Sequence, residues 1–123
     1  MTQKARNIIG WTLTGILAFV FISSAFMKLT GSEEVVKGAA SIGLTPGAMQ
    51  LIGIIEIGSI LLFIFPRTGL LGTLLLAAYL GGAIVTLLEH GQPFLMPVII
   101  QAILWITAVI RFPELSKRLF VRL

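Results

Sequence analysis

Residues 49–65 read MQLIGIIEIGSILLFIF, seventeen positions with a single charge, Glu56, near the middle. At 1.5 Å per residue such a run reaches about 26 Å as a helix, close to the hydrocarbon thickness of a bilayer. Three further stretches of the same kind flank it: Ile8–Met27, Leu70–Leu88 and Phe94–Ile110. In lipid a backbone must satisfy its own hydrogen bonds, so each stretch is expected to be a transmembrane helix. The fold expected is therefore an all-α membrane protein, a four-transmembrane-helix bundle that occupies residues 1–123 as one domain.

The punctuation between spans agrees with this reading. All five prolines lie at span ends: Pro46 follows a Thr45 cap, Pro66 closes the second span, Pro93 and Pro97 open the fourth, and Pro113 is expected to stop the helical course beyond it. Between the first two spans, Ser32 precedes Glu33 and Glu34 and then Val35, Val36, Ala39, Ala40 and Ile42, a pattern expected to form a short interfacial helix ending at Gly43. The first span begins after basic residues and carries Ser23-Ser24-Ala25, as a cleavable signal does, but its apolar run continues through Phe26 and Met27. We therefore read it as a retained helix.

Composition excludes several classes of function. With 57% hydrophobic and 11% charged residues in 123, the chain has too little polar surface to face water on all sides. Its net charge of +4 belongs to the flanks of apolar runs and not to a patch for nucleic acid. Cysteine is absent, which rules out thiol exchange and thiolate ligation by this chain. Lysine and arginine also set the orientation. If both termini are cytoplasmic, Lys4, Arg6, Arg67, Arg111, Lys117, Arg118 and Arg122 lie inside, and only Lys28 and Lys37 lie outside.

Glu56 is the residue that costs most to keep, since a carboxylate at mid-membrane is unfavourable by roughly 3 kcal/mol on insertion scales. Gly53 and Ser59 share its helix face, which therefore points into the bundle. Counting rise per residue puts Tyr79 and Gln101 at similar depth, and Ser24 and Lys28, four residues apart, slightly nearer the outer surface. Glu56, Lys28, Tyr79, Gln101, Ser24 and Ser59 are the candidate ligand-binding residues. The plainer reading makes Glu56 and its neighbours hydrogen-bonded glue between helices. Ala77 with Gly81, and Ala78 with Gly82, are expected to let the third span approach a neighbour closely. Trp11 and Trp105 read as packing or interface residues. Glu89 and His90 are adjacent on a loop, too few to make a metal site, and no catalytic motif is present.

Several segments together carry a resemblance: Phe26-Met27-Lys28-Leu29-Thr30-Gly31, Glu56 within the second span, Pro66-Arg67-Thr68-Gly69, Tyr79-Leu80-Gly81-Gly82-Ala83 and Arg111-Phe112-Pro113. Over nearly its whole length the chain resembles the DoxX-like family of small bacterial membrane proteins. The resemblance implies a four-helix bundle in the inner membrane, in a family named after a subunit of thiosulfate:quinone oxidoreductase. Lack of cysteine separates this chain from relatives expected to handle disulfide electrons. Two readings of function stay open. In one, the chain is a non-catalytic subunit or binding module that holds a quinone or another amphipathic molecule in an outer-half polar pocket, for a membrane oxidoreductase partner or within a homo-oligomer. In the other it is a proton-coupled transporter that uses Glu56.

The orientation is open to direct test in this cysteine-free background. Ser41→Cys should react with an impermeant maleimide in intact cells and Thr68→Cys only after lysis. The reverse pattern would invert the topology and every depth assigned from it.

Overall fold

The computed structural model describes residues 2–120; Arg122, one of the basic flanks, lies outside the described residues. Six helices follow one another: α1 (Gln3–Thr30), α2 (Glu33–Ser41), α3 (Pro46–Ile64), α4 (Gly69–Glu89), α5 (Leu95–Arg111) and α6 (Pro113–Leu119). The described residues are helical apart from short connections. Of these helices, α1, α3 and α4 are long and apolar enough to cross a membrane, and α5 with α6, meeting at a bend of 110°, makes the fourth candidate. The 17 residues of α5 alone reach about 26 Å.

Local chemistry fixes the ends. Thr2, Ser32 and Thr45 each accept a hydrogen bond on the side-chain oxygen from the backbone N–H three residues on, so α1, α2 and α3 start capped. After α2, Leu44 N–H donates to the Ala39 carbonyl (2.8 Å) and Gly43 N–H to the Ala40 carbonyl (3.1 Å), while Gly43 sits at φ 77°. This is a Schellman ending, and it leaves the terminal glycine where the sequence put it. The same pair of bonds recurs after α4, from Gln92 to Leu87 and from Gly91 to Leu88. Pro113 behaves differently from expectation: it does not stop the chain's helical course but opens α6, because the missing N–H of proline costs nothing in a first turn.

The four long helices close into a ring in which α1 packs on α3 and α5, and α4 packs on the same two. Leu17, Phe21, Ile60, Phe63, Leu76, Leu80, Leu104, Ala108 and Phe112 form the core. Three buried threonines, Thr14, Thr73 and Thr107, return their hydroxyl protons to carbonyls four residues back and so bring no unmet polar group into the core. Phe19, Ile54, Leu74 and Leu95 stand exposed on the outer faces, as lipid contact requires. α2 lies against α3, and α6 against α5.

Close approach occurs at a different place from the one the small-residue pairs suggested. A Cβ at Gly81 or Gly82 would meet open space, whereas one at Gly72 would overlap the backbone of Phe63 and one at Gly69 the ring of Phe112. Only a short loop joins α3 to α4, so their axes are held nearest beside it. Gly72→Ala should therefore lower stability by about 2 kcal/mol, the cost of overpacking against a backbone that cannot move aside. Gly81→Ala should leave the thermal midpoint in detergent unchanged or slightly raised, and equal losses from the two would refute this packing.

Candidate functional site

Lys28 stands in the last turn of α1, where the helix dipole favours a cation, and Ser24 lies one turn below it on the same face. The small residue Gly53 lets α3 pass close to this stretch of α1, near the Ala25 carbonyl and Leu29. One turn further along α3, Glu56 meets Lys28. The ammonium donates three hydrogen bonds: to Glu56 Oε1 at 2.6 Å, to the Tyr79 hydroxyl at 2.6 Å and to Ser24 Oγ at 2.9 Å. Ser24 in turn donates to Glu56 Oε1 at 3.3 Å. An ammonium has three N–H groups, so Lys28 is fully committed, and its position is set from α1, α3 and α4 at once. Phe21 meets the Tyr79 ring edge to face at 6.3 Å between centroids and so orients the phenol.

The pair is withdrawn from its surroundings: the Glu56 side chain is 1% exposed and that of Lys28 13%. The two carboxylate oxygens of Glu56 are treated unequally. Oε1 takes two donors, while Oε2 is buried with no partner among the described residues. A buried acceptor left unmet costs about 1–3 kcal/mol.

Three cavities converge on these residues. The first, about 350 Å³ and mostly apolar, is lined by Lys28 and Tyr79 together with Met49, Ile52, Gly82 and Thr86. A second of about 140 Å³ is lined by Glu56, Ser24 and Tyr79 with Phe21, Pro97 and Ile100. The third, about 520 Å³, runs under α2 past Lys28, Ser24 and Ala39. Gly82, one of the glycines with open space around it, thus borders a cavity and not a helix contact.

Of the six residues singled out in the sequence, Glu56, Lys28, Tyr79 and Ser24 come together in one hydrogen-bonded cluster. Ser59 is buried a turn along α3 from Glu56, outside that cluster. Gln101 is held elsewhere, its Nε2 donating to the Ala77 carbonyl of α4 at 3.1 Å, with Oε1 lacking a partner among the described residues.

A second polar cluster, at the opposite end of the bundle, is not visible in the spacing of the sequence. Charge counting makes Arg111 a solvated basic flank, yet its guanidinium turns inward. NH1 donates to the Phe63 carbonyl at 2.7 Å and Thr14 Oγ1 at 3.3 Å, and NH2 to the Ile64 carbonyl at 3.0 Å. It therefore caps the open carbonyls at the end of α3 while bridging α1 and α5. The rings of Trp11, Phe63 and Phe112 surround it with centroids 4.5 to 4.9 Å away. The one signal in the sequence is Gly10: any Cβ there would press on the Arg111 stem.

Comparison with known families is decisive: the model of the DoxX-like family matches residues 12–109. The chain belongs to the DoxX-like family. That span takes in Ser24, Lys28, Glu56, Tyr79 and Gln101 and stops just short of Arg111. No curated protein and no solved structure matches it.

The asymmetry of the ion pair yields a stability test. Lys28→Met removes three hydrogen bonds and leaves Glu56 buried beside apolar groups, so it should cost about 3 kcal/mol, read as a lower melting temperature in detergent. Lys28→Met combined with Glu56→Met should recover most of that loss. Additive losses in the double variant would mean that the two side chains do not act as a pair.

Proposed function

We propose that this DoxX-like protein is a binding module of the bacterial inner membrane that holds an amphipathic small molecule at the Glu56 cluster and does no chemistry by itself. The observation that carries the reading is Glu56 Oε2, a buried acceptor without a donor that belongs to a side chain lining a cavity. A ligand that brings a hydroxyl or N–H group there would relieve the cost of leaving it unmet, and a hydrogen bond to an ionised carboxylate is about twice as strong as a neutral one. Lys28 has no N–H left to give, which argues against an anionic head group. The cavity of about 140 Å³ suits a single ring, and the apolar one of about 350 Å³ offers room for a chain that leads from Tyr79 toward lipid.

A quinone-like molecule in its dihydroxy form fits these requirements: a ring, a hydroxyl donor and an apolar tail. The partner in this reading is a membrane oxidoreductase, to which the chain presents the bound molecule. The bias of lysine and arginine toward the end that carries the termini supports both termini being cytoplasmic and the site lying in the outer half of the membrane.

A short-tailed benzoquinol is the probe, with its oxidised form as control. The quinol should raise the melting temperature of the detergent-solubilised protein, and the quinone, which has no hydroxyl, should raise it less. Glu56→Gln should fold and bind the quinol at least about tenfold more weakly, a loss of about 1.4 kcal/mol. Equal binding by wild type and Glu56→Gln would remove Glu56 from the site. Stoichiometric proton release on ligand addition would favour the exchanger instead, because an exchanger must trade protons for substrate.

A further inference from the structure

We infer that the terminus-bearing end of the bundle holds a second binding site, for the phosphate of an anionic phospholipid head group, between α1 and the junction of α5 with α6. A cavity of about 270 Å³ lies there, lined by Arg6, Asn7, Trp11, Arg111 and Glu114 among others. Its floor is rigid. Arg111 is fixed by two carbonyls of α3 and by Thr14, and Trp11 stacks on it at 4.5 Å.

A guanidinium carries five N–H groups. Arg111 spends two on NH1 and one on NH2, so one on NH2 and the Nε–H are left over. Arg6 adds a second guanidinium, and Asn7 an amide, to the walls of the same cavity. Phosphate oxygens are the acceptors that suit such paired, planar donors. The depth also fits: the cavity borders Pro66 at the end of α3, where the helices leave the hydrocarbon, and Trp11, 49% exposed, is a residue type that favours the head-group layer.

Glu114 sets the charge of the occupant. Two guanidiniums and one carboxylate leave the cavity with a single net positive charge, which matches a phosphodiester with one negative charge. A free phosphate near neutral pH carries more charge and would face the carboxylate. A basic pocket between transmembrane helices, open at the interface, is a recognised setting for such head groups. The site is independent of the Glu56 cluster, which lies at the other end of the bundle.

The test mixes the protein in dodecyl maltoside with equal amounts of dioleoylphosphatidylglycerol and dioleoylphosphatidylcholine and reads retained lipid by native mass spectrometry. One phosphatidylglycerol should be kept in preference to phosphatidylcholine. Arg6→Gln should reduce that adduct about fivefold, the equivalent of about 1 kcal/mol for one basic residue near an anionic surface. Glu114→Gln should increase it, and Lys4→Gln, at the same end but outside the cavity lining, should leave it unchanged. Equal retention of the two lipids, or equal losses from Arg6→Gln and Lys4→Gln, would overturn the site. Loss of the phosphatidylglycerol adduct in millimolar inorganic phosphate would assign the cavity to a free anion and overturn the lipid.

Discussion

Helices in hydrocarbon gain nothing from hiding apolar side chains from one another, since lipid is as apolar as they are, so partner choice has to come from close packing and a few polar cross-links. Among the described residues two such cross-links, one toward each end, have a cation at the centre, and Gln101 adds a smaller one from α5 to α4. Lys28 ties α1 to α3 and α4, and Arg111 ties α5 to α1 and α3. Because α1 and α3 take part in both, they cannot slide or rotate against each other without breaking bonds at one end. The ring order of the helices follows from that constraint, with Gly72 and Gly53 supplying the close contacts that let the side chains reach.

The two cross-links differ in what they leave unmet. Arg111 bonds to carbonyls that helix geometry would leave open in any case, so its role at the end of α3 is that of a C-terminal cap with aromatic rings around it. Lys28 meets a carboxylate with two oxygens and occupies one of them. The Glu56 end is left with a surplus acceptor, and the Arg111 end with N–H groups not used in bonds among the described residues. Both depend on the same long, flexible cationic stems lying against apolar helix surface.

Much of this was legible in the sequence because hydrocarbon imposes simple rules. Length and hydrophobicity gave the spans, and the ends of α3, α4 and α5 fall close to expectation, whereas α1 runs five residues before Ile8 and three beyond Met27 and α6 was not expected. Depth counting brought Glu56 and Tyr79 to similar depth and put Lys28 nearer the outer surface, within reach of them. What it cannot provide is the angle around the helix axis, and that is why Gln101, at similar depth, serves the Ala77 carbonyl instead. Charge counting misleads at Arg111, since it treats every flanking arginine as solvated, whereas this one folds back over Gly10. Small-residue spacing pointed at Gly81 and Gly82, but spacing says only that a close approach is permitted. The loop between α3 and α4 decides where the approach occurs, at Gly72.

A buried ion pair can often be replaced by apolar side chains of similar volume with no loss of stability, so stability alone gives no reason to keep one. The case is stronger for a pair whose carboxylate has an oxygen without a donor, since that oxygen is a standing penalty. Arg111 also supplies a polar cross-link for α1 and α3, and Gly53 and Gly72 supply close packing, so the choice of neighbours does not rest on the ion pair alone. In the binding reading proposed above, a donor from outside the chain offsets the penalty at Oε2, and Glu56 lines a cavity in which such a donor can be received.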